Sequence, residues 1–130
     1  MTFFLHILLM AIAMLGIIIA VGAAIFFRKK SSWLKIHKSL NAFSLLGMSA
    51  GLIMAVVYVS GTGGKHIDGL HQFIGSAAFV FVVATLFLGF YQFKAKKKLA
   101  LRSIHRWLGR FSLLLLLTTI TLGLKLINII

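Results

Sequence analysis

The sequence has almost no acidic residues, no cysteine and no proline. Among its 130 residues Asp68 is the only acid, whereas Lys and Arg together number 14. Without cysteine the chain cannot form disulfides, iron–sulfur clusters or dithiol redox relays. Without proline its helices are expected to lack proline kinks. The shortage of acids also disfavours a proton-coupled carrier, because no carboxylate lies within a long apolar run to relay protons.

Apolar residues dominate what is present. They make up 61% of the chain, and the mean hydropathy is +1.07, which is too high for an ordinary water-soluble domain. We therefore expect an integral membrane protein whose charges are confined to the two membrane surfaces. A soluble protein that binds nucleic acid is a poor match to this composition.

Four apolar runs are long enough to cross a bilayer, which takes about 20 residues. They cover roughly residues 3–27, 36–59, 69–93 and 103–127. Because the connections between them are short, consecutive helices are expected to run antiparallel. The predicted fold is an all-α, antiparallel four-helix transmembrane bundle that forms a single domain over residues 1–130.

Positive charge is concentrated in and near the first and third connections. Only Lys65 and Lys125 lie toward the opposite side. By the positive-inside rule the first and third connections face the cytoplasm, while both termini and the Gly-rich second connection lie outside. We expect a multi-pass protein of the cell membrane whose basic connections meet anionic lipid headgroups. The first span is expected to be retained, because its positive cluster follows the apolar run, unlike that of a signal peptide.

Each span has a histidine near its start. These histidines are His6, His37, His71 and His105. Since consecutive helices alternate in direction, His6 and His71 are expected near the outer surface and His37 and His105 near the inner one. The predicted arrangement is therefore one pair of histidines in each leaflet.

A face of small residues follows each of these histidines along its helix. Steps of +4, +7, +11, +14 and +18 from the histidine stay on one side of an α-helix, and we call these positions the histidine face. It includes Gly75 and Gly89 in the third span, and Gly109 and Gly123 at the matching places of the fourth. Close helix packing would explain the small residues but not a histidine at the head of every face. A haem explains both, with axial histidines and glycines that leave room for the porphyrin.

Two haems with two histidine ligands each are therefore the expected cofactors. His37 and His105 would ligate the inner iron, and His6 and His71 the outer one. Both groups would be bound non-covalently, since the chain has no cysteine for attachment. With two protein ligands neither iron has an open coordination position, so we expect electron transfer across the membrane and no bond-forming chemistry.

The sequence resembles the cytochrome b561 family through all four spans. The stretches that carry the resemblance are Leu5–Met10, Ile36–Asn41, Gly69–Gly75, Leu88–Phe90 and His105–Gly109. The resemblance implies a four-helix core with two bis-histidine b haems. Helices one and three would ligate the haem on the non-cytoplasmic side, and helices two and four the haem on the cytoplasmic side. The chain departs from the family pattern at Ile7, where a proline commonly follows the first histidine.

Candidate sites for redox partners lie in the connections. The resemblance implies cytoplasmic ascorbate as the usual donor, held by basic residues at the positions of Arg28 and Lys35. A solvated cationic loop is the alternative interpretation of these two residues. His66 is a candidate outer acceptor-site or proton-accepting group, or else an exposed loop histidine. Quinol, ascorbate or a protein would each fit as donor, the acceptor and the direction of flow stay open, and the chain could form a homodimer.

Two other functions stay open at the level of the sequence. A haem-bearing anchor subunit of a larger redox complex would contain the same two-haem core. A small membrane protein without haem would use the histidine faces for packing alone. Copurification tests the first alternative, and an absorption spectrum tests the second.

Overall fold

The computed structural model describes residues 1–130 and contains four α-helices and no strands. The helices are α1 (Thr2–Phe26), α2 (Trp33–Gly61), α3 (Leu70–Tyr91) and α4 (Lys98–Leu126). Each is long and apolar enough to cross a membrane. Apolar segments form helices in lipid because only internal hydrogen bonds can satisfy the backbone there. The predicted all-helical membrane fold is confirmed, whereas the side on which the termini lie stays a prediction.

Two helices begin earlier than the apolar runs that predicted them. Helix α4 starts at Lys98, before the run that begins near residue 103, and α2 starts at Trp33, before residue 36. The sequence from Lys98 to Arg102 consists of Leu, Ala, Lys and Arg, which all favour helix. A helix need not end where the hydrocarbon layer ends, and the third connection is therefore only residues 92–97.

Residues in the left-handed conformation end α2 and α4. Gly63 has a φ of 69°, and the next N–H, from Gly64, donates to the Val59 carbonyl at 3.0 Å. Asn128 has a φ of 55°, and the N–H of Ile129 donates to the Leu124 carbonyl at 3.1 Å. A left-handed Gly or Asn is a common way to end a helix, because the following N–H groups then satisfy the last free carbonyls.

The chain divides into two compact units, Met1–His66 and Ile67–Ile130. The first contains α1 and α2, which we call hairpin 1, and the second contains α3 and α4, which we call hairpin 2. Within each hairpin the two helices are antiparallel, because residues near the start of one helix contact residues late in the other.

Small side chains bring the two helices of hairpin 1 close together. Ala13 is 2% exposed, and a Cβ placed on Gly47 of α2 would lie 3.5 Å from its Cβ. A Cβ on Gly16 would overlap the Oγ of Ser44, which is itself buried. Small residues spaced along two helices allow this close backbone approach, which is a usual form of packing in membranes.

Hairpin 2 has a core of four buried side chains, Ala78 and Val82 of α3 with Ser112 and Leu116 of α4. All four belong to the histidine faces, as do the three buried residues of α2, which are Ser44, Met48 and Gly51. These residues of the histidine faces are therefore buried between the two helices of their own hairpins. Next to this core, the rings of Phe81 and Phe111 meet edge to face with their centroids 4.9 Å apart.

Large apolar side chains cover the outside of the helices. Phe4, Phe43, Phe73 and Phe87 are examples on three of them, each more than half exposed. In water such surfaces would favour aggregation, whereas a membrane offers them lipid tails or other helices. The distribution of apolar side chains thus agrees with four membrane-spanning helices.

Candidate functional site

All four predicted histidine ligands have the same kind of environment within their hairpins. Each histidine belongs to one helix, and its Nδ1 lies within hydrogen-bond distance of a backbone carbonyl oxygen of the other helix. The pairs are His6 with Gly51 at 2.8 Å, His37 with Ala20 at 2.8 Å, His71 with Thr119 at 3.0 Å, and His105 with Thr85 at 3.0 Å.

The four acceptor residues follow one rule. Each stands at position +14 of the histidine face of its own helix, so that Thr85 follows His71 and Thr119 follows His105. Fourteen residues of α-helix correspond to about 21 Å at 1.5 Å per residue. The two histidines of a hairpin therefore lie at opposite ends of it, and they are too far apart to bind one iron together.

The carbonyl partner determines the chemistry of each imidazole. A carbonyl oxygen can only accept a hydrogen bond, so Nδ1 carries the proton and the lone pair is on Nε2. Histidines that bind a metal usually donate their other ring N–H to such an acceptor, which fixes the orientation of the ring. All four histidines thus have the tautomer that an axial ligand of haem iron requires. No group of three or more His, Cys, Asp or Glu side chains is present that could hold a bare metal ion.

Glycines lie against the imidazole rings of hairpin 2. A Cβ placed on Gly89 would be 2.9 Å from Cε1 of His105, and a Cβ on Gly123 would be 3.0 Å from Cε1 of His71. Both glycines occupy position +18 of a histidine face, where the sequence predicts room for a porphyrin. The structure places the imidazole of the other helix beside each of them.

The other two glycines of the predicted haem pocket lie opposite the acceptor residues. A Cβ on Gly75 would be 3.1 Å from Cγ2 of Thr119, and a Cβ on Gly109 would be 3.7 Å from Cγ2 of Thr85. Each therefore faces the residue whose carbonyl holds the histidine of its own helix. Their part in a haem pocket stays a prediction.

His37 has a polar neighbour in Asn41, and Thr85, the acceptor residue of His105, makes polar contacts of its own. The Nδ2 of Asn41 donates to the His37 carbonyl at 2.7 Å and lies 3.4 Å from Nδ1 of that ring. The hydroxyl of Thr85 lies 2.7 Å from the Phe81 carbonyl and 3.0 Å from Oγ of Ser112. Because the four acceptors act through backbone atoms, their side chains need not follow a motif. The available signal was that position +14 is Ala, Gly or Thr on every helix.

The candidate partner-binding residues lie at helix ends and are exposed. The Arg28 Nε donates to the Ala24 carbonyl at 2.5 Å, which satisfies a free carbonyl at the end of α1. Lys35 lies in the first turn of α2. In the second connection, Nε2 of His66 lies 3.3 Å from the hydroxyl of Ser60. The structure therefore gives Arg28 a role in ending α1, and the partner-binding roles of all three residues stay predictions.

Comparison with protein families identifies one match. The family described as eukaryotic cytochrome b561 matches residues 5–129, which is nearly the whole chain. Comparisons with curated proteins and with solved structures gave no match. The matched range contains both hairpins and all four of the histidines that contact +14 carbonyls.

Proposed function

The chain belongs to the cytochrome b561 family of transmembrane b-type cytochromes, and we propose that it carries electrons across its membrane by means of two haems b. Family membership makes it an integral, multi-pass membrane protein that binds haem b and transfers electrons. Our proposal adds that the chain binds two haems. The observation that supports it is the fourfold repetition of a histidine whose Nδ1 is held by a +14 carbonyl.

The hairpin geometry supports the proposed pairing of ligands. The two histidines of one hairpin lie at opposite ends and cannot share an iron, so the proposed pairing takes one histidine from each hairpin. If every helix crosses the membrane once, α1 and α3 begin on the same side, and so do α2 and α4. We therefore assign His6 and His71 to the outer haem and His37 and His105 to the inner one. The two hairpins would then act as a single domain.

The chain's own contribution is to hold and orient the ligands. Bound haem supplies a one-electron redox couple whose potential depends on the axial ligands and their hydrogen bonds. Each +14 carbonyl accepts from Nδ1, so Nε2 is the ring nitrogen that would hold haem iron. With two histidines assigned to each haem, no coordination position would stay open for oxygen or a substrate, which suits electron transfer.

The proposed electron donor binds at the basic inner surface. Arg28 keeps further guanidinium N–H groups beyond the one that ends α1, and a guanidinium can bind an anionic donor such as ascorbate through them. Lys35 adds an exposed positive charge at the start of α2. A quinol or a protein donor would meet the same surface. On the outer side, His66 is the proposed acceptor-site or proton-accepting residue.

The start of α4 supports an orientation with this basic surface toward anionic lipid. Lys98, Arg102, Arg106 and Arg110 are all exposed and follow one another at intervals of four residues. Like charges at this spacing repel one another, and cations at a helix N-terminus oppose the helix dipole. The only acid of the chain, Asp68, lies in the second connection. Lipid phosphates at the cytoplasmic leaflet of the cell membrane would supply the missing negative charge.

Haem content and spectrum test the proposal. We expect two non-covalent haems b per chain, a six-coordinate low-spin spectrum and two resolved midpoint potentials in a redox titration. One haem or none in protein that circular dichroism shows to be folded would contradict the two-haem relay. Stable copurification with other redox proteins would instead identify the chain as an anchor subunit of a larger complex.

A further inference from the structure

We infer that Gly89 and Gly123 are positioning residues for the imidazoles of His105 and His71. Because a glycine has no side chain, it leaves the +14 carbonyl of its own helix accessible to the histidine of the other helix. The inference rests on the proposed function in that the two histidines are taken as haem ligands. In this view the two glycines make room for the imidazole rings and not for the porphyrin.

Helix geometry explains why position +18 matters to a carbonyl at +14. Side chains of an α-helix point toward its N-terminus, so the residue four places after a carbonyl covers the surface around that carbonyl. Gly89 is four places after Thr85, and Gly123 is four places after Thr119. In hairpin 2 the ring that reaches each of these carbonyls lies beside position +18.

The distances show how little space remains there. A Cβ on Gly89 would lie 2.9 Å from Cε1 and 3.3 Å from Nδ1 of His105. The same atom on Gly123 would lie 3.0 Å and 3.3 Å from the corresponding atoms of His71. Carbon atoms in favourable contact are about 3.5–4.0 Å apart. In both cases the added atom would press on the edge of the ring that donates to the +14 carbonyl.

If the ring moves away from the added Cβ, the position of Nε2 changes as well. The ring is a rigid plane, attached to one helix by its side chain and to the other by a 3.0 Å hydrogen bond. A tilt that relieves the Cβ contact would lengthen this bond and turn Nε2 away from its position. Since the hydrogen bond also fixes the tautomer, the effect of a larger residue would be on ligand orientation and basicity.

Other glycines of the chain do not have this role. A Cβ on Gly22 would meet nothing within 4 Å, and a Cβ on Gly16 would meet a serine hydroxyl. In hairpin 1 the +18 positions are Ala24 and Ala55, and the histidines there still reach their +14 carbonyls at 2.8 Å. Glycine is therefore needed only where the ring lies over position +18, as in hairpin 2. Under the proposed pairing, each haem therefore has one axial histidine that lies against a glycine, His105 for the inner haem and His71 for the outer.

The test compares Gly89→Ala and Gly123→Ala with Gly22→Ala as the matched control. Nitrogen-15 NMR of histidine-labelled protein reports the tautomer and hydrogen bond of each imidazole, whether or not haem is bound. We expect Gly89→Ala to change the His105 resonances and Gly123→Ala those of His71. We also expect roughly 10–100-fold weaker haem binding at the inner site for the first variant and at the outer site for the second. The control should match the unaltered protein in every measurement.

Two results would overturn the inference. One is a pair of variants whose imidazole resonances, site affinities and midpoint potentials equal those of the control. The other is a uniform loss of both haems together with stability, which is the behaviour of a packing contact. If the unaltered protein binds fewer than two haems while Gly89→Ala still shifts the His105 resonances, the positioning role stands and the two-haem proposal fails.

Discussion

At the scale of residues, the main feature is the bond between each imidazole and a +14 carbonyl. Hydrogen bonding at Nδ1 makes Nε2 a stronger donor toward iron, which favours the oxidised metal. The acceptor residue of His105 is itself held in place, because the hydroxyl of Thr85 contacts Ser112. The position on α3 that corresponds to Ser112 is Ala78, which has no hydroxyl. The two ends of hairpin 2 therefore present their histidines in unequal surroundings.

The pairing of ligands gives a prediction at this scale. Replacing His105 by Ala should remove the inner haem and leave the spectrum and potential of the outer haem largely intact. His37→Ala should remove the same spectral component, because both histidines are assigned to one iron. Redox titrations of the two variants, monitored by absorption spectroscopy, show which haem each variant has lost.

The control for pairing is His71→Ala, which should remove the other component. If His105→Ala and His71→Ala abolish the same haem, the assignment across the hairpins is wrong. His66→Ala should leave both haems in place, since no iron is assigned to His66.

At the scale of elements, the hairpins are held by small residues that allow close approach. Gly16 shows this most directly, because a Cβ there would overlap Oγ of Ser44. That serine is 4% exposed and lies on the histidine face of α2. A larger residue at position 16 would therefore force α1 and α2 apart.

Gly16→Ala is accordingly expected to destabilise hairpin 1 by about 1–3 kcal/mol, the usual cost of overpacking. Thermal or detergent-induced unfolding, followed by circular dichroism, measures the change. Gly22→Ala is the control on the same helix, since a Cβ there meets nothing. The same stability for both variants would show that the α1–α2 contact tolerates the extra carbon.

At the scale of the whole molecule, the distribution of charge is the dominant feature. The formal net charge is +13, and nearly all of the cations lie in or near the first and third connections. The positive-inside rule depends on this asymmetry of Lys and Arg and only slightly on acids. The orientation of the chain in its membrane is thus a property of the complete sequence and not of any one helix.

The cysteine-free sequence makes this orientation directly testable. We expect a cysteine introduced by Asp68→Cys to react with an impermeant maleimide from outside intact cells. Ser31→Cys should react only after the membrane has been permeabilised. Both sites are exposed and lie outside the helices, so permeabilised cells provide the control for reactivity. The opposite pattern of labelling would invert the proposed topology.

Much of the architecture follows from the sequence by itself. Apolar length predicts the four helices, and the small-residue periodicity identifies Ala78, Val82, Ser112 and Leu116, which are the buried residues of hairpin 2. The even placement of histidines identifies the four imidazoles that contact +14 carbonyls. These features are local or periodic along one helix, and for that reason a linear pattern contains them.

The tertiary structure decided what each inward face meets. Periodicity shows that Gly89 and His105 point inward, but not that the glycine of α3 lies against the ring of α4. The acceptors at Thr85 and Thr119 act through backbone carbonyls, which every residue has, so the side chains give only the weak signal that position +14 is Ala, Gly or Thr. Which carbonyl is reached depends on the relative translation of two antiparallel helices. That translation is determined by packing between residues far apart in the chain.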